Sequence, residues 1–206
     1  MAVFFRYIQP CSPVLAKSVP AGDDWQHEIK FVGFRVQAHI IGKTVRLYSR
    51  SGGQFSGRFP KLVSVLGELP TRSAIIEGEI VASDAAGMPD FWPVFLRSAK
   101  PAELHVWAFD LLALDGKDLR KLPLETRQRR LQVLLKRFAC PTVLASEAFA
   151  DGQALLEVAE RHKLEGVVSK RRDAPYRSGS CRGWRKVKTA VWREANRERW
   201  RLFEGR

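Results

Sequence analysis

Residues 27–40 read HEIKFVGFRVQAHI, and apolar and polar side chains alternate there from Ile29 to Ile40. A period of two sends successive side chains to opposite faces of an extended chain, so the stretch predicts a β-strand. Gly42-Lys43 is a turn signal and VRLYSRSG follows it, which makes 27–50 a predicted β-hairpin. Within this strand Lys30 stands between Ile29 and Phe31, and Gly33 permits close approach of another backbone. A lysine in a partly desolvated pocket has its charged form disfavoured and can act as a neutral nucleophile. The more common fate of a strand lysine is to extend its ammonium into water.

Working outward, Phe59, Leu62, Val63, Leu66 and Leu69 fall at helical spacing in 56–69. SAIIEGEIVASD predicts a strand that meets a turn at Ala86-Gly87-Met88-Pro89, and 104–114 predicts another strand, ended by Asp115-Gly116. Residues 123–138 predict a helix with Pro123 near its first turn and a basic outer face. TVLASEAFA predicts a strand, and Asp151 an N-cap for a helix running to about Leu164. The strands EGVVSKR and WRKVKTA then bracket the loop DAPYRSGSCRG, and 191–204 predict a terminal helix with Trp192 and Trp200 on one side. Short strands joined by hairpins, with helices irregularly interspersed, define an α+β fold of antiparallel β-sheets flanked by helices in one compact domain. Neither a G-x-G-x-x-G nor a phosphate-loop motif is present.

The chain has 206 residues and a formal net charge of +13. Ten basic and two acidic residues in 161–188 supply +8 of this, a concentration suited to nucleic acid or a nucleotide triphosphate, or simply to a solvated basic face. No apolar run reaches the roughly 20 residues that span a bilayer. Pro10 and Pro13 interrupt the N-terminal segment too early for a signal peptide. Cys11, Cys140 and Cys181 suggest no disulfide framework, and the four histidines lack zinc-site spacing. A cytoplasmic protein without membrane attachment is expected.

Two glutamate–glycine steps lie on separate predicted strands, Glu77-Gly78-Glu79 and Glu165-Gly166. Such carboxylates suit Mg²⁺ or a ribose hydroxyl, although each alone is more often a surface strand residue. Strand alternation points Lys186 and Lys188 to one face, where they suit phosphate.

Taken in order, these pieces resemble the motifs of the covalent nucleotidyltransferases: DNA ligases, RNA ligases and mRNA-capping enzymes. The nearest likeness is to the ATP-dependent ligase adenylation domain of bacterial end-joining ligases and their short stand-alone relatives, and it covers nearly the whole chain. Lys30-Phe31-Val32-Gly33-Phe34-Arg35 resembles motif I, Lys-x-Asp-Gly-x-Arg. Ser49-Arg50-Ser51-Gly52, Glu77-Gly78-Glu79-Ile80 and Phe109-Asp110-Leu111-Leu112 resemble the motifs that follow. Glu165 to Lys170 resembles motif IV, and Trp184 to Lys188 motif V.

The resemblance implies that Lys30 attacks the α-phosphorus of ATP to form lysyl-AMP, and that AMP then passes to a 5′-phosphate in nicked or broken double-stranded DNA during repair. It implies Glu28 beside the adenine edge and Phe109 stacked on the base. Arg35, Arg50 and Glu79 would contact ribose or phosphates, and Lys186 and Lys188 would neutralise phosphate charge. Glu165, with Glu79, would place Mg²⁺ or Mn²⁺. Arg171, Arg172, Arg177 and Arg182 would remain for the DNA backbone. End-joining proteins such as Ku are the implied partners of a monomer.

Two departures stand out. Val32 occupies the motif I Asp position, and only 18 residues follow Lys188, too few for the oligonucleotide-binding barrel of longer ligases. The expected division is an adenylation domain, 1–190, and a basic Trp/Arg-rich tail, 191–206. The basic loop 170–186 and this tail are expected to substitute for the barrel; the alternative for the tail is a helix whose tryptophans pack back on the domain. An active ligase therefore stands beside a degenerate module that binds nucleotide or DNA ends without efficient adenylation, and beside an RNA ligase or capping enzyme.

Overall fold

The computed structural model describes residues 6–83, 89–90, 100 and 104–196. Its strands are β1 (Cys11–Leu15), β2 (Trp25–Ile29), β3 (Phe34–Ile41), β4 (Thr44–Ser49), β5 (Ser73–Ser83), β6 (Pro89–Asp90), β7 (Leu104–Leu114), β8 (Lys117–Asp118), β9 (Val143–Ala145), β10 (Gly166–Arg171) and β11 (Gly179–Lys188). Its α-helices are α1 (Pro60–Leu66), α2 (Leu124–Phe138), α3 (Gly152–Arg161) and α4 (Ala190–Ala195). The chain divides into two compact units. One comprises Met1–Cys11, Val32–Ser146 and Asp173–Gly179; the other comprises Ser12–Phe31, Glu147–Arg172 and Ser180–Arg206. The expected α+β architecture of largely antiparallel sheets is present in both.

In the first unit the sheet order is β4-β3-β5-β7-β8, with β6 on β5 and β9 parallel to β7. Its core face carries Val36, Ala38 and Ile40 from β3, Ile76 and Ile80 from β5, and Val106 and Ala108 from β7. Leu62 and Leu66 of α1, and Leu131, Leu134 and Leu135 of α2, complete that core at their helical spacing. The alternating positions leave Arg35, Gln37, Glu77 and Glu79 for the opposite face. In the second unit the order is β1-β11-β10-β2. Val167 of β10 joins Leu155 and Ala159 of α3 in a small core, with Ile29 and Leu164 against it.

The alternation read over 27–40 changes phase at Phe31-Val32, and the predicted single strand is two. β2 ends at Ile29, opposite Val167, and the Lys30 N–H makes one more bond, to the Gly166 carbonyl at 2.9 Å. The chain then leaves that ladder, and from Phe34 pairs with Ile80 in the other sheet. Gly33 sits at this crossing because an added Cβ would lie 2.2 Å from the Ile80 carbonyl oxygen. The hairpin itself is β3–β4, turning at Gly42 with φ +54°.

Several boundaries also differ from the sequence reading. Of TVLASEAFA only Val143–Ala145 is strand, and residues 179–183 of the predicted loop already belong to β11, where they extend the antiparallel arm. Helix α2 is not basic on its outside alone, since Arg127 is 0% exposed. The Asp151 cap is as expected, its Oδ1 accepting from the N–H groups of Gln153 and Ala154 at 3.0 and 2.9 Å. The turn at 86–89 and the Trp200 end of the tail fall largely or wholly outside the described residues. Among the described residues no helix is long and apolar enough to cross a membrane.

Candidate active site

The sheet of the second unit has one face packed on α3, through Ile29 and Val167. Register places Glu28 and Lys186 on either side of Val168, and Gln26 and Trp184 on either side of Lys170. These positions share a charged face. Lys30 lies just past the end of β2, where the ladder stops and its side chain escapes close packing. Its Nζ is 2.7 Å from Glu165 Oε2. Glu165, 6% exposed, turns its Oε1 to Lys188 Nζ at 3.3 Å, so one carboxylate holds two ammonium groups. The sequence order Glu165-Gly166 makes this possible. Gly166 has φ +149°, and an added Cβ would lie 2.0 Å from the Val187 carbonyl oxygen. Only glycine lets β10 start this close to β11, which brings Glu165 and Lys188 together.

Glu28 is buried rather than presented to solvent. Its Oε2 takes Lys170 Nζ at 2.7 Å and its Oε1 takes Gln26 Nε2 at 3.3 Å. Lys170 also lies over the Trp184 ring, 4.3 Å from its centroid. Sequence reasoning quoted Lys170 and Trp184 only within the motif IV and motif V likenesses and gave neither a role; alternation from Lys186 was an available signal for Trp184. The opposite face of β2 holds His27, whose Nδ1 is 2.9 Å from Ser169 Oγ. Burial lowers the pKa of His27, Asp151 opposes that shift and Arg172 adds to it.

In the first unit, Arg35 NH2 donates to Glu77 Oε2 at 2.7 Å and NH1 donates to the Cys11 carbonyl at 2.9 Å. Its guanidinium carbon stands 5.0 Å from the Phe109 ring centroid. Glu77 is fully buried and also accepts from Gln37 Nε2 at 3.0 Å. Burial alone would lower the Arg35 pKa, but the Glu77 carboxylate more than offsets it and the guanidinium is held charged. Glu79 pairs in register with Arg35 across β3 and β5. Thus Glu77, read from the sequence as a carboxylate suited to Mg²⁺ or a ribose hydroxyl, is the hydrogen-bonded partner of Arg35. Behind Phe109, Gln128 of α2 donates to its carbonyl at 2.9 Å, and Arg127 makes a bidentate pair with Asp110 at 2.7 and 2.8 Å. Arg50 is exposed at the end of β4, its carbonyl accepting from the Tyr7 hydroxyl.

The basic stretch 161–188 is less free than its charge suggests. Arg185 lies 4.8 Å from the Trp25 ring centroid and Lys188 4.1 Å from that of Trp192. Arg171 reaches Asp24 at 3.7 Å, and Arg172 donates to the Trp25 carbonyl at 3.1 Å. Arg177 and Arg182 are exposed and form no ion pair among the described residues. Among those residues no group of three or more His, Cys, Asp or Glu side chains gathers as a metal cage. One carboxylate such as Glu165 nevertheless suits Mg²⁺, which is commonly held by one or two carboxylates together with substrate phosphates.

Lys30, just past the end of β2, and Lys188 of β11 thus share the Glu165 carboxylate. The chain belongs to the ATP-dependent DNA ligase domain family, whose model matches residues 10–188. It is 35% identical over 203 residues to a probable DNA ligase of Sorangium cellulosum, covering 90% of this chain and 38% of that protein. It is 34% identical over 184 residues to the multifunctional non-homologous end joining DNA repair protein LigD of Mycobacterium tuberculosis, covering 88% of this chain and 24% of that one. The crystal structure of the ligase domain of M. tuberculosis LigD superposes with a TM-score of 0.74 at 30% identity, over 87% of this chain and 60% of the other. A mycobacterial DNA ligase D complexed with ATP gives a TM-score of 0.73 at 29% identity, over 87% and 59%. The chain therefore spans well under half the length of these curated relatives.

Proposed function

We propose that this chain carries the adenylating centre of an ATP-dependent DNA ligase of the end-joining type, with residues 1–190 as the adenylation domain and 191–206 as an appended tail. The observation that supports it is the Glu165 carboxylate holding Lys30 and Lys188 together at 2.7 and 3.3 Å. Lys30 gives up its proton, its amine attacks the α-phosphorus of ATP, an N–P bond forms and pyrophosphate leaves. Covalent capture divides one difficult joining reaction into easier transfers. AMP then passes to the 5′-phosphate of nicked or broken duplex DNA, and a 3′-hydroxyl displaces it.

In this reading Glu28, Arg35, Arg50, Glu79, Phe109, Lys186 and Lys188 bind the nucleotide. Lys188 and Lys186 offset charge on the phosphates as it develops. Glu165, with Glu79, would hold Mg²⁺ or Mn²⁺, which would neutralise phosphate charge. Glu165 is already engaged by Lys30 and Lys188, so a cation there would compete with both ammonium groups. Glu28 needs a comparable exchange, because the adenine edge competes with Lys170 and Gln26. Arg171, Arg172, Arg177 and Arg182 face the DNA backbone, with Arg177 and Arg182 the readiest of the four. The setting is cytoplasmic DNA repair, the chain acts as a monomer, and Ku-like end-joining proteins are its partners.

Incubation with α-labelled ATP and Mg²⁺ or Mn²⁺ is expected to label the protein, and Lys30→Ala to abolish the label. No label at any metal concentration, with the fold intact by circular dichroism, would defeat the proposal. Val32 favours one second reading, a module that binds nucleotide or DNA ends without efficient adenylation. In the active reading, Val32→Asp lowers the metal concentration for half-maximal labelling while the unsubstituted chain already labels. In the degenerate reading only Val32→Asp labels, and DNA binding is salt-sensitive throughout.

A further inference from the structure

The short helix α4, which follows β11, is anchored at its start but has no core of its own. Thr189, 1% exposed, donates its hydroxyl to the Leu164 carbonyl at 2.7 Å and accepts from the Trp192 N–H at 3.3 Å. Glu160 at the end of α3 accepts from the Ala190 and Val191 N–H groups, both at 3.0 Å. The amides of the first turn, otherwise without intrahelical partners, are thus satisfied by a neighbouring helix and a cap. No residue of α4 is buried. Trp192 is consequently not a core side chain, and its ring face meets the Lys188 ammonium 4.1 Å from the centroid. The same ammonium is 3.3 Å from Glu165 Oε1, and Glu165 Oε2 is 2.7 Å from Lys30.

We propose that Trp192 is a positioning residue for the Lys30 centre, its ring holding the Lys188 ammonium against Glu165 so that this carboxylate is shared between the two lysines. Aromatic faces attract cations through the ring quadrupole, more strongly as water is removed. The indole offers such a face without introducing an acceptor that competes for the Lys188 protons. Without the ring, Lys188 swings into water and Glu165 turns wholly to Lys30, which keeps the nucleophile paired. The Glu160 and Thr189 contacts explain how a six-residue helix holds a ring in place.

The proposal rests on Lys30 being the nucleophile, and two measurements on the full chain keep the questions apart. The first is competitive acylation of lysine amines, read residue by residue by mass spectrometry and independent of any adenylation. Trp192→Leu is expected to speed acylation of Lys188 about fivefold, with Trp192→Phe within about twofold of the parent and exposed Lys61 unchanged as reference. An unchanged Lys188 rate in Trp192→Leu overturns the proposal whether or not the protein adenylates. The second is self-adenylation at saturating ATP, expected to fall about tenfold in Trp192→Leu, with most of the loss in rate rather than in KM and with recovery in Trp192→Phe. If the parent labels and Trp192→Leu labels equally fast, the positioning role is wrong. A parent that never labels sinks the lysyl-AMP reading, while the Lys188 acylation rates still decide what Trp192 holds.

Discussion

Lys30 Nζ and Glu165 Oε2 lie 2.7 Å apart, and they are joined across 135 residues of chain. The nucleophile candidate and its carboxylate therefore meet only because β2 and β10 are neighbours, with Val167 opposite Ile29. The pair is only partly shielded, its side chains 22% exposed at Lys30 and 7% at Glu165. Its value lies in holding the lysine at the end of the ladder more than in stabilising the fold.

Glu165→Gln keeps the shape and removes the charge, so it separates those two effects. Folding stability should change by about 1 kcal/mol or less, as for a partly exposed ion pair. Self-adenylation should fall by roughly 10²-fold, the scale of losing one organised electrostatic contact. Urea titration and label incorporation read the two quantities; a stability loss matching the activity loss would make Glu165 a structural residue.

Gly166→Ala attacks the same pair through the backbone. The new Cβ meets the Val187 carbonyl oxygen at 2.0 Å, and neither strand can move without breaking the β10–β11 ladder. A loss of about 2–4 kcal/mol is expected from denaturant midpoints, combining overpacking with the strain of φ +149°. Alanine at Gly57, where an added Cβ meets nothing within 4 Å, is the matched control and should be nearly neutral.

Arg127 and Asp110 are both fully buried, and Arg127 NH1 also donates to the Leu122 and Ala174 carbonyls at 2.6 and 3.2 Å. Removing either partner leaves an uncompensated charge, so Asp110→Ala or Arg127→Met should each cost about 3–5 kcal/mol. The double variant should cost less than the sum of the two. Chemical denaturation of all four proteins closes the cycle, and strict additivity would show that the pair is not coupled.

His27 should make stability depend on pH. Its folded pKa is lowered by burial beneath the unfolded value near 6.5, so below that pH the unfolded chain takes up a proton that the folded one refuses. Stability is then complete above about pH 7 and declines as pH falls through the folded pKa, with a slope of at most ~1.4 kcal/mol per pH unit from this group. Ser169, Asp151 and Arg172 are the polar and charged groups that act on the ring. His27→Gln should flatten the profile below about pH 7; an unchanged slope assigns the effect elsewhere.

Local pattern determined much of this protein. Apolar runs ended by turn signals announced β5 and β7, helical spacing announced α1, Pro123 marked the start of α2 and Asp151 that of α3, because each is written in side chains a few residues apart. The order of motifs from Lys30 to Lys188 likewise announced the family. The break after Ile29 left a local trace, a change in the phase of alternation at Phe31-Val32, but only tertiary structure shows the hydrogen-bond partners changing from Gly166 to Ile80. Tertiary structure alone decided that Glu28 is locked by Lys170, that Glu77 holds Arg35 and that Trp192 covers Lys188. Such pairings depend on strand order, register and backbone approach at a few glycines. Those are properties of distant segments meeting, and no window of neighbouring residues contains them.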